Sequence, residues 1–306
     1  MHRGAEDLPV IILIHGLGMN HYFWIDPEKC FVLGGLAPLT IFLADAPPKP
    51  ENNISFGTTA HDMQGLWNVL QDRGFSLASW TQRQPLGPIQ VAIDELNTVM
   101  DTVRNEWPGK PVYLIGHSRG GLIARKFLLS GENCGIKGLI TICTPHSGTG
   151  MAKFVHFLKP AGAFLGKIVP QESKARLAQA FSRMAEFLQS PAIEELAPAS
   201  TFLSSLQKPL PKQLRKLSFG GTSPALFRIF ARLPGKRLKV VKFPDMLMGA
   251  IPAGHLPQEL TPGLGDGLVA AANANLAGSS HYNFPNNHVK SAYDSEVQNI
   301  ILEFLA

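Results

Sequence analysis

The segment Gly116-His117-Ser118-Arg119-Gly120 constrains this chain more than any other. It lies between an apolar run, Pro111 to Ile115, and a run of helical character from Gly121 to Leu129. A serine in G-x-S-x-G between a strand and a helix rides on a tight turn that exposes its hydroxyl at the strand's carboxyl end. Glycines on either side let the flanking backbone approach without Cβ clashes. Serine is a weak nucleophile until a neighbouring base takes its proton. The turn therefore calls for a base, and for an acid that orients the base.

The surrounding pattern supplies a scaffold for such a turn. Val10 to Ile14 is a short unbroken apolar run, as expected of a strand buried on both faces in a parallel sheet. Leu77–Trp80, Ile136–Cys143, Leu214–Phe219 and Leu238–Phe243 read as further strands, and Thr40–Leu43 as another short one ahead of the proline-rich 46–50. Ile89, Ile93, Leu96, Met100 and Val103 fall at helical spacing across Ile89–Glu106, which Pro108-Gly109 ends. Ser291–Leu305 reads as a last amphipathic helix. This alternation predicts an α/β fold with a mostly parallel central sheet and flanking helices. Ligand sites in such sheets sit at the carboxyl ends of the strands. From 150 to 210 the pattern turns helical, at Phe154–Leu158, Ala163–Val169, Ser173–Leu188 and Ala192–Leu196. The expected organisation is a core of 1–149 and 211–306 with 150–210 inserted as a helical lid or cap.

With 45% hydrophobic and 17% charged residues, the 306-residue chain is globular in character rather than disordered. Its three cysteines, Cys30, Cys134 and Cys143, form no C-x-x-C and no disulfide framework, and Cys143 is expected as a buried thiol. Met1 to Leu8 is polar and lacks the pattern of a signal peptide, and no apolar run is long enough to span a bilayer. The expected location is cytoplasmic for the chain as written, with secretion open if the chain is a trimmed form. The net charge of +5 is concentrated: Lys208 to Lys242 holds ten basic residues and no acidic one. The plain reading is a solvated surface. The sharper one is contact with an anionic lipid surface through this stretch and the lid. No aromatic-interleaved basic motif accompanies it, which argues against nucleic acid.

Chain order narrows the partners of Ser118. In strand–elbow–helix architectures the order is serine, acid, histidine. Asp245, Asp266 and Asp294 follow Ser118, and no histidine follows Asp294. Glu132, Glu172, Glu186, Glu194 and Glu195 fall in a helix-exit turn or in the lid, and Glu259 is a weak candidate. Asp266 sits between glycines in Gly265-Asp266-Gly267, which suits a tight loop presenting a carboxylate. It is preferred to Asp245. Of the two histidines that follow, His288 lies in a loop before the last helix and His281 in a possible terminal strand, so His288 is the preferred base.

An oxyanion hole needs two backbone N–H groups. Arg119, after the serine, and Leu17, in His15-Gly16-Leu17-Gly18 at the end of the first strand, are the candidates. His15, His117 and His146 precede Asp266 and break the order of a base. With Gly16 they are expected to be structural or to line the substrate pocket. The histidines lack zinc-site spacing, so neither a metal nor a cofactor is expected.

These motifs together resemble the lipase/esterase group of α/β-hydrolases. Val10–Gly18, Gly116–Gly121, Thr144-Pro145-His146-Ser147-Gly148-Thr149, Gly265–Val269 and Asn287-His288 match in order. Pro198–Leu203 resembles a segment of that group's lid region. The chain is similar to bacterial triacylglycerol lipases and to lipase-like hydrolases related to GPI-inositol deacylases. The resemblance implies catalytic Ser118, Asp266 and His288, with oxyanion N–H groups from Leu17 and Arg119. It implies a serine carboxylic ester hydrolase acting through an acyl-enzyme on small-molecule or lipid esters with an apolar chain. Acyl transfer to an alcohol is the alternative, and a non-catalytic binding protein on the same scaffold the third reading. Two departures stand out. Arg119 replaces a residue that is usually neutral, which puts a charge near the pocket. Val289 and Lys290 follow His288 where the calcium-binding lipases carry an aspartate, so that calcium site is not carried over.

Overall fold

The structure, a computed structural model, describes residues 1–32, 35, 37–47, 54–59, 63–131, 135–150, 186–231, 239–243, 245 and 256–306. Its strands in chain order are β1 (Val10–Ile14), β2 (Phe31–Val32), β3 (Ala37–Pro38), β4 (Ile54–Ser55), β5 (Ser76–Ser79), β6 (Val112–His117), β7 (Ile136–Ile142), β8 (Arg215–Gly221), β9 (Phe227–Ala231), β10 (Lys239–Phe243) and β11 (Ser280–Phe284). Six of them form one sheet in the order β11-β8-β7-β6-β1-β5. Every pairing in it is parallel.

All five residues of β1 are buried, because both faces of the sheet are covered. Period-two geometry sends alternate side chains to opposite faces. Val10, Ile12 and Ile14 accordingly pack with the helices Ile89–Glu106 and Arg119–Leu129. Ile11 and Leu13 pack on the other side with Phe23, Trp24, Leu66 and the C-terminal helix Ser295–Leu305. The helix Ile89–Glu106 has the predicted bounds, and its buried stripe includes Ile89, Ile93, Leu96, Met100 and Val103. Asp294, excluded as the acid by chain order, caps the last helix by accepting the N–H groups of Glu296 and Val297.

Thr40–Leu43 is a one-turn helix, not a strand. A four-residue segment with three apolar residues carries too little periodicity to separate the two, and here burial of Phe42 and Leu43 against the core decides. The strand expected at Leu238–Phe243 forms, but in a separate antiparallel sheet of order β10-β9-β4. Of the helical segments expected in 150–210, those before 186 lie outside the described residues. The described part holds the helices Pro191–Glu195 and Thr201–Ser204. Its Phe187, Leu188, Ile193, Leu196 and Leu203 share a core cluster with Leu122 and Ile123 of the helix that follows Ser118.

Among the ten basic residues of 208–242, Arg232, Lys236 and Arg237 lie outside the described residues. Arg215 stacks over Phe304 at 4.4 Å and donates to the Tyr113 hydroxyl, and Arg228 pairs with Asp45. No helix among the described residues is long and apolar enough to cross a membrane.

Candidate active site

Ser118 follows β6 and is the N-cap of the helix Arg119–Leu129, with φ 54° and ψ −126°. Few non-glycine residues hold such a backbone conformation, and it persists only where the surroundings fix it. Here the Ser118 N–H donates to the Ile142 carbonyl of β7 at 2.8 Å, and its own carbonyl accepts from Gly121 N–H. The turn closes only because the neighbouring glycines lack side chains. A Cβ on Gly116 would lie 2.4 Å from the Gly121 nitrogen, and one on Gly120 would lie 2.2 Å from the Ile14 carbonyl oxygen. Both obstacles are backbone, so neither can swing aside. Gly120→Ala is therefore expected to destabilise the fold by about 2–3 kcal/mol. A thermal melt should show Tm lower by several degrees, and an unchanged Tm would contradict this packing.

Asp266 sits in a loop seated on the end of β8, and a Cβ on Gly221 would lie 2.7 Å from the Asp266 Cβ. Its Oδ1 accepts the N–H groups of Leu268 (2.9 Å) and Val269 (2.7 Å), which fixes the carboxylate plane. Its Oδ2 accepts from His288 Nδ1 at 2.8 Å, and the His288 N–H donates to the Asp266 carbonyl at 2.9 Å. A carboxylate can only accept, so Nδ1 carries the proton and Nε2 is left as an acceptor. Asp266 and His288 are both almost fully buried.

The histidine loop is braced by Asn287. Its Nδ2 donates to the Phe42 and Ala225 carbonyls, and its Oδ1 accepts from Val289 and Lys290 N–H. In the sequence Asn287 stands only as the motif neighbour of His288. Its bracing role depends on partners far along the chain. Glu259, the weak alternative acid, accepts the Gly150 N–H, and Asp245 is exposed. His281, the other candidate base, bonds to Ser218 Oγ and Asn283 on β8 and β11.

Ser118 and His288 line one cavity together with Leu17, Met19, Phe42, Phe187, Leu196 and Leu268. Its other described lining residues, Val32, Pro145, Thr149, Val269 and Val289, carry no charge. Among the described residues, neither the Leu17 nor the Arg119 N–H has a hydrogen-bond acceptor. Gly16 brings the Leu17 loop close, since a Cβ there would lie 3.1 Å from the Ser118 Cβ.

His15, His117 and His146 are absent from the cavity wall and lie buried behind it. His15 Nδ1–H donates to the Gly16 carbonyl (2.9 Å), and its Nε2 accepts from Gln82 N–H (3.1 Å). His117 Nε2–H donates to the His288 carbonyl at 2.9 Å, so the residue before the serine braces the histidine. His146 bonds Thr141 Oγ1 through Nε2, and its N–H donates to the Asn273 carbonyl. Burial disfavours the imidazolium form. It holds His15 at about 4 and drives His117 and His146 well below the ordinary histidine range.

Arg119 is fully buried and is not among the described residues lining the cavity. Burial lowers its pKa to about 10, and the guanidinium remains protonated at neutral pH. Cys143, at the end of β7, has φ 51° and is buried. Burial, and after it the neighbouring Asp266 carboxylate, push its thiol well up and keep it neutral. Cys143, Asp266 and His288 place potential ligand atoms within 4.8 Å of one another. Both Asp266 oxygens are already engaged in the contacts above, which leaves the trio as a hydrogen-bonded support rather than an open ligand set.

A sequence family described as "Serine aminopeptidase, S33" matches residues 63–208. No curated protein sequence matches the chain. Among solved structures, the mature Bacillus licheniformis lipase BlEst2 aligns with a TM-score of 0.59 at 14% identity, covering 100% of this chain and 95% of that one. Its propeptide form aligns equally well at 15% identity, covering 99% of this chain and 51% of that one. The metagenomic carboxyl esterase MGS0156 aligns at 0.53 and 13% identity, covering 100% and 77%.

Proposed function

We propose that this chain, which has the α/β-hydrolase fold, is a serine carboxylic ester hydrolase with Ser118, Asp266 and His288 as its catalytic triad. The observation that carries the reading is the 2.8 Å Asp266–His288 bond beside a strained Ser118, with serine and histidine lining one cavity whose other described walls carry no charge. Ser118 Oγ attacks the ester carbonyl carbon while its proton passes to His288 Nε2. The carbonyl oxygen becomes an oxyanion between the Leu17 and Arg119 N–H groups. The intermediate collapses and the C–O bond to the alcohol breaks. His288 returns the proton to the departing alkoxide. Water, deprotonated by the same nitrogen, then attacks the acyl carbon, the Ser118 C–O bond breaks to release the acid, and His288 returns the proton to Ser118 Oγ. Asp266 holds the imidazole in the tautomer with Nε2 free and stabilises the transient imidazolium. No cofactor enters these steps.

The described lining residues carry no charge, which favours an apolar acyl chain over a peptide with a free amino terminus, whose ammonium group would need a carboxylate to hold it. Phe187 and Leu196 extend that wall from the 150–210 segment, proposed as a lid over the site. Acyl transfer would share the acyl-enzyme and differ only in the acceptor. A p-nitrophenyl ester series, with and without added short alcohols, tests the reading. The expected result is hydrolysis that rises with chain length before falling, little transesterified product, and no cleavage of aminoacyl p-nitroanilides. Preferential p-nitroanilide cleavage would overturn the substrate class, and dominant transesterification would favour the transferase.

A further inference from the structure

A fully buried guanidinium beside the candidate serine calls for an account, and two of the contacts of Arg119 lead onward to the Leu17 loop. Nη1 donates to Gln82 Oε1 and to the Pro85 carbonyl, each at 3.4 Å, and Nη2 donates to the Gly87 carbonyl at 2.5 Å. The Pro85 carbonyl also accepts the Gly18 N–H at 3.2 Å. Gln82 Nε2 donates to the His15 carbonyl at 3.0 Å, and the Gln82 N–H donates to His15 Nε2, whose opposite nitrogen bonds the Gly16 carbonyl. Leu17 is thus gripped on both sides, through Gln82 at His15 and Gly16 and through Pro85 at Gly18. Glu195, 3.7 Å from Nη2, supplies the counter-charge and is itself fixed by the Ile89 N–H at 2.9 Å.

We infer that the Arg119 side chain is a positioning group that sets the Leu17 N–H against the N–H of Arg119 itself, holding the two halves of the oxyanion hole in register. The inference rests on the ester-hydrolase reading above and adds a role that the backbone of Arg119 alone does not supply. Both N–H groups must point at an oxygen that becomes charged only in the transition state, so a misplaced donor weakens transition-state binding more than substrate binding. A guanidinium does this where a neutral side chain would not, because its planar fork reaches several carbonyls at once from a fixed geometry. The same residue closes the circuit, since its backbone begins the helix and its side chain reaches the loop that holds the other donor.

The test compares wild type with Arg119→Met, Arg119→Lys and Gln82→Leu on a p-nitrophenyl ester, together with inhibition by an alkylboronic acid. The boronate forms a tetrahedral anion on the serine and reads the hole directly. In Arg119→Met, kcat is expected to fall about 10- to 100-fold, less than the 10²–10³ that outright loss of a donor brings. KM should stay within about twofold, the boronate inhibition constant should rise in step with the loss of kcat, and lysine should restore part of both. A merely structural role would lower Tm but leave kcat per folded molecule and boronate affinity unchanged, and that result overturns the inference. Should Arg119→Met fail to fold, Gln82→Leu cuts only the link to the His15 loop. A smaller loss in kcat alone supports the inference, and unchanged kcat overturns it. An active wild type with unaffected variants defeats only the positioning role, whereas a wild type inactive on every ester defeats the hydrolase reading and this inference together.

Discussion

Asp266→Asn and His288→Ala each lower kcat for ester hydrolysis by about 10⁴-fold, the scale expected when one member of a proposed triad is lost. The asparagine variant is the more telling. Its side-chain oxygen can still accept the Leu268 and Val269 N–H groups that Oδ1 accepts now, so the loop has what it needs to fold. The amide nitrogen then faces His288 Nδ1 and donates where Oδ2 accepted. That forces the ring proton onto Nε2, and the base is lost while its position is kept. Steady-state kinetics with a thermal melt checks this: kcat collapses and Tm moves little. Asp245→Ala, at an exposed residue, leaves kcat unchanged. Activity within tenfold of wild type in Asp266→Asn, or its loss in Asp245→Ala, would reassign the acid.

Folding stability falls as the pH drops below about 6.5, above the range where carboxylates titrate. His15, His117 and His146 are buried and held neutral, with pKa values below that of an unfolded histidine. As the pH falls through 6.5, the unfolded chain binds protons at these rings while the folded chain does not. The equilibrium therefore shifts toward unfolding until each folded pKa is passed. For His15, held at about 4, the stability lost by that pH amounts to about 3 kcal/mol. His117 and His146 add to it in the same direction. Urea midpoints measured from pH 7.5 to 4.5 should fall steadily from about 6.5 downward. A flat midpoint between pH 7 and 5 would mean that these rings are not held neutral.

The scaffold was legible because its signals are local. An unbroken apolar run marked β1, the helical stripe at Ile89–Glu106 marked the helix beside it, and G-x-S-x-G marked the turn between β6 and its helix. Thr40–Leu43 misled because three apolar residues after a threonine fit either period. Chain order narrowed the acid and base to residues that the fold brings within hydrogen-bond distance of each other, although they stand 22 positions apart. What local pattern could not carry was partnership at long range. Arg119 read as a charge near the pocket, yet its guanidinium finds Gln82 and Glu195, and Arg119 is not among the described cavity-lining residues. His15 and His117 read as structural or pocket-lining. The structure places them behind the wall, one bracing the Leu17 loop and the other the His288 backbone. At Asp266 a turn signal and the proposed catalytic role do not compete. Gly267, at φ 97°, makes the Asp-Gly turn, and that turn presents the carboxylate to His288.

The most direct test is p-nitrophenyl ester hydrolysis by wild type and by Ser118→Ala at matched folded concentration. Wild-type turnover that drops by at least about 10⁴-fold in the variant, with Tm little changed because alanine keeps the Cβ and the φ 54° turn, is the predicted result. Equal turnover in the two proteins would contradict the account, because the strained serine would then have no part in the chemistry.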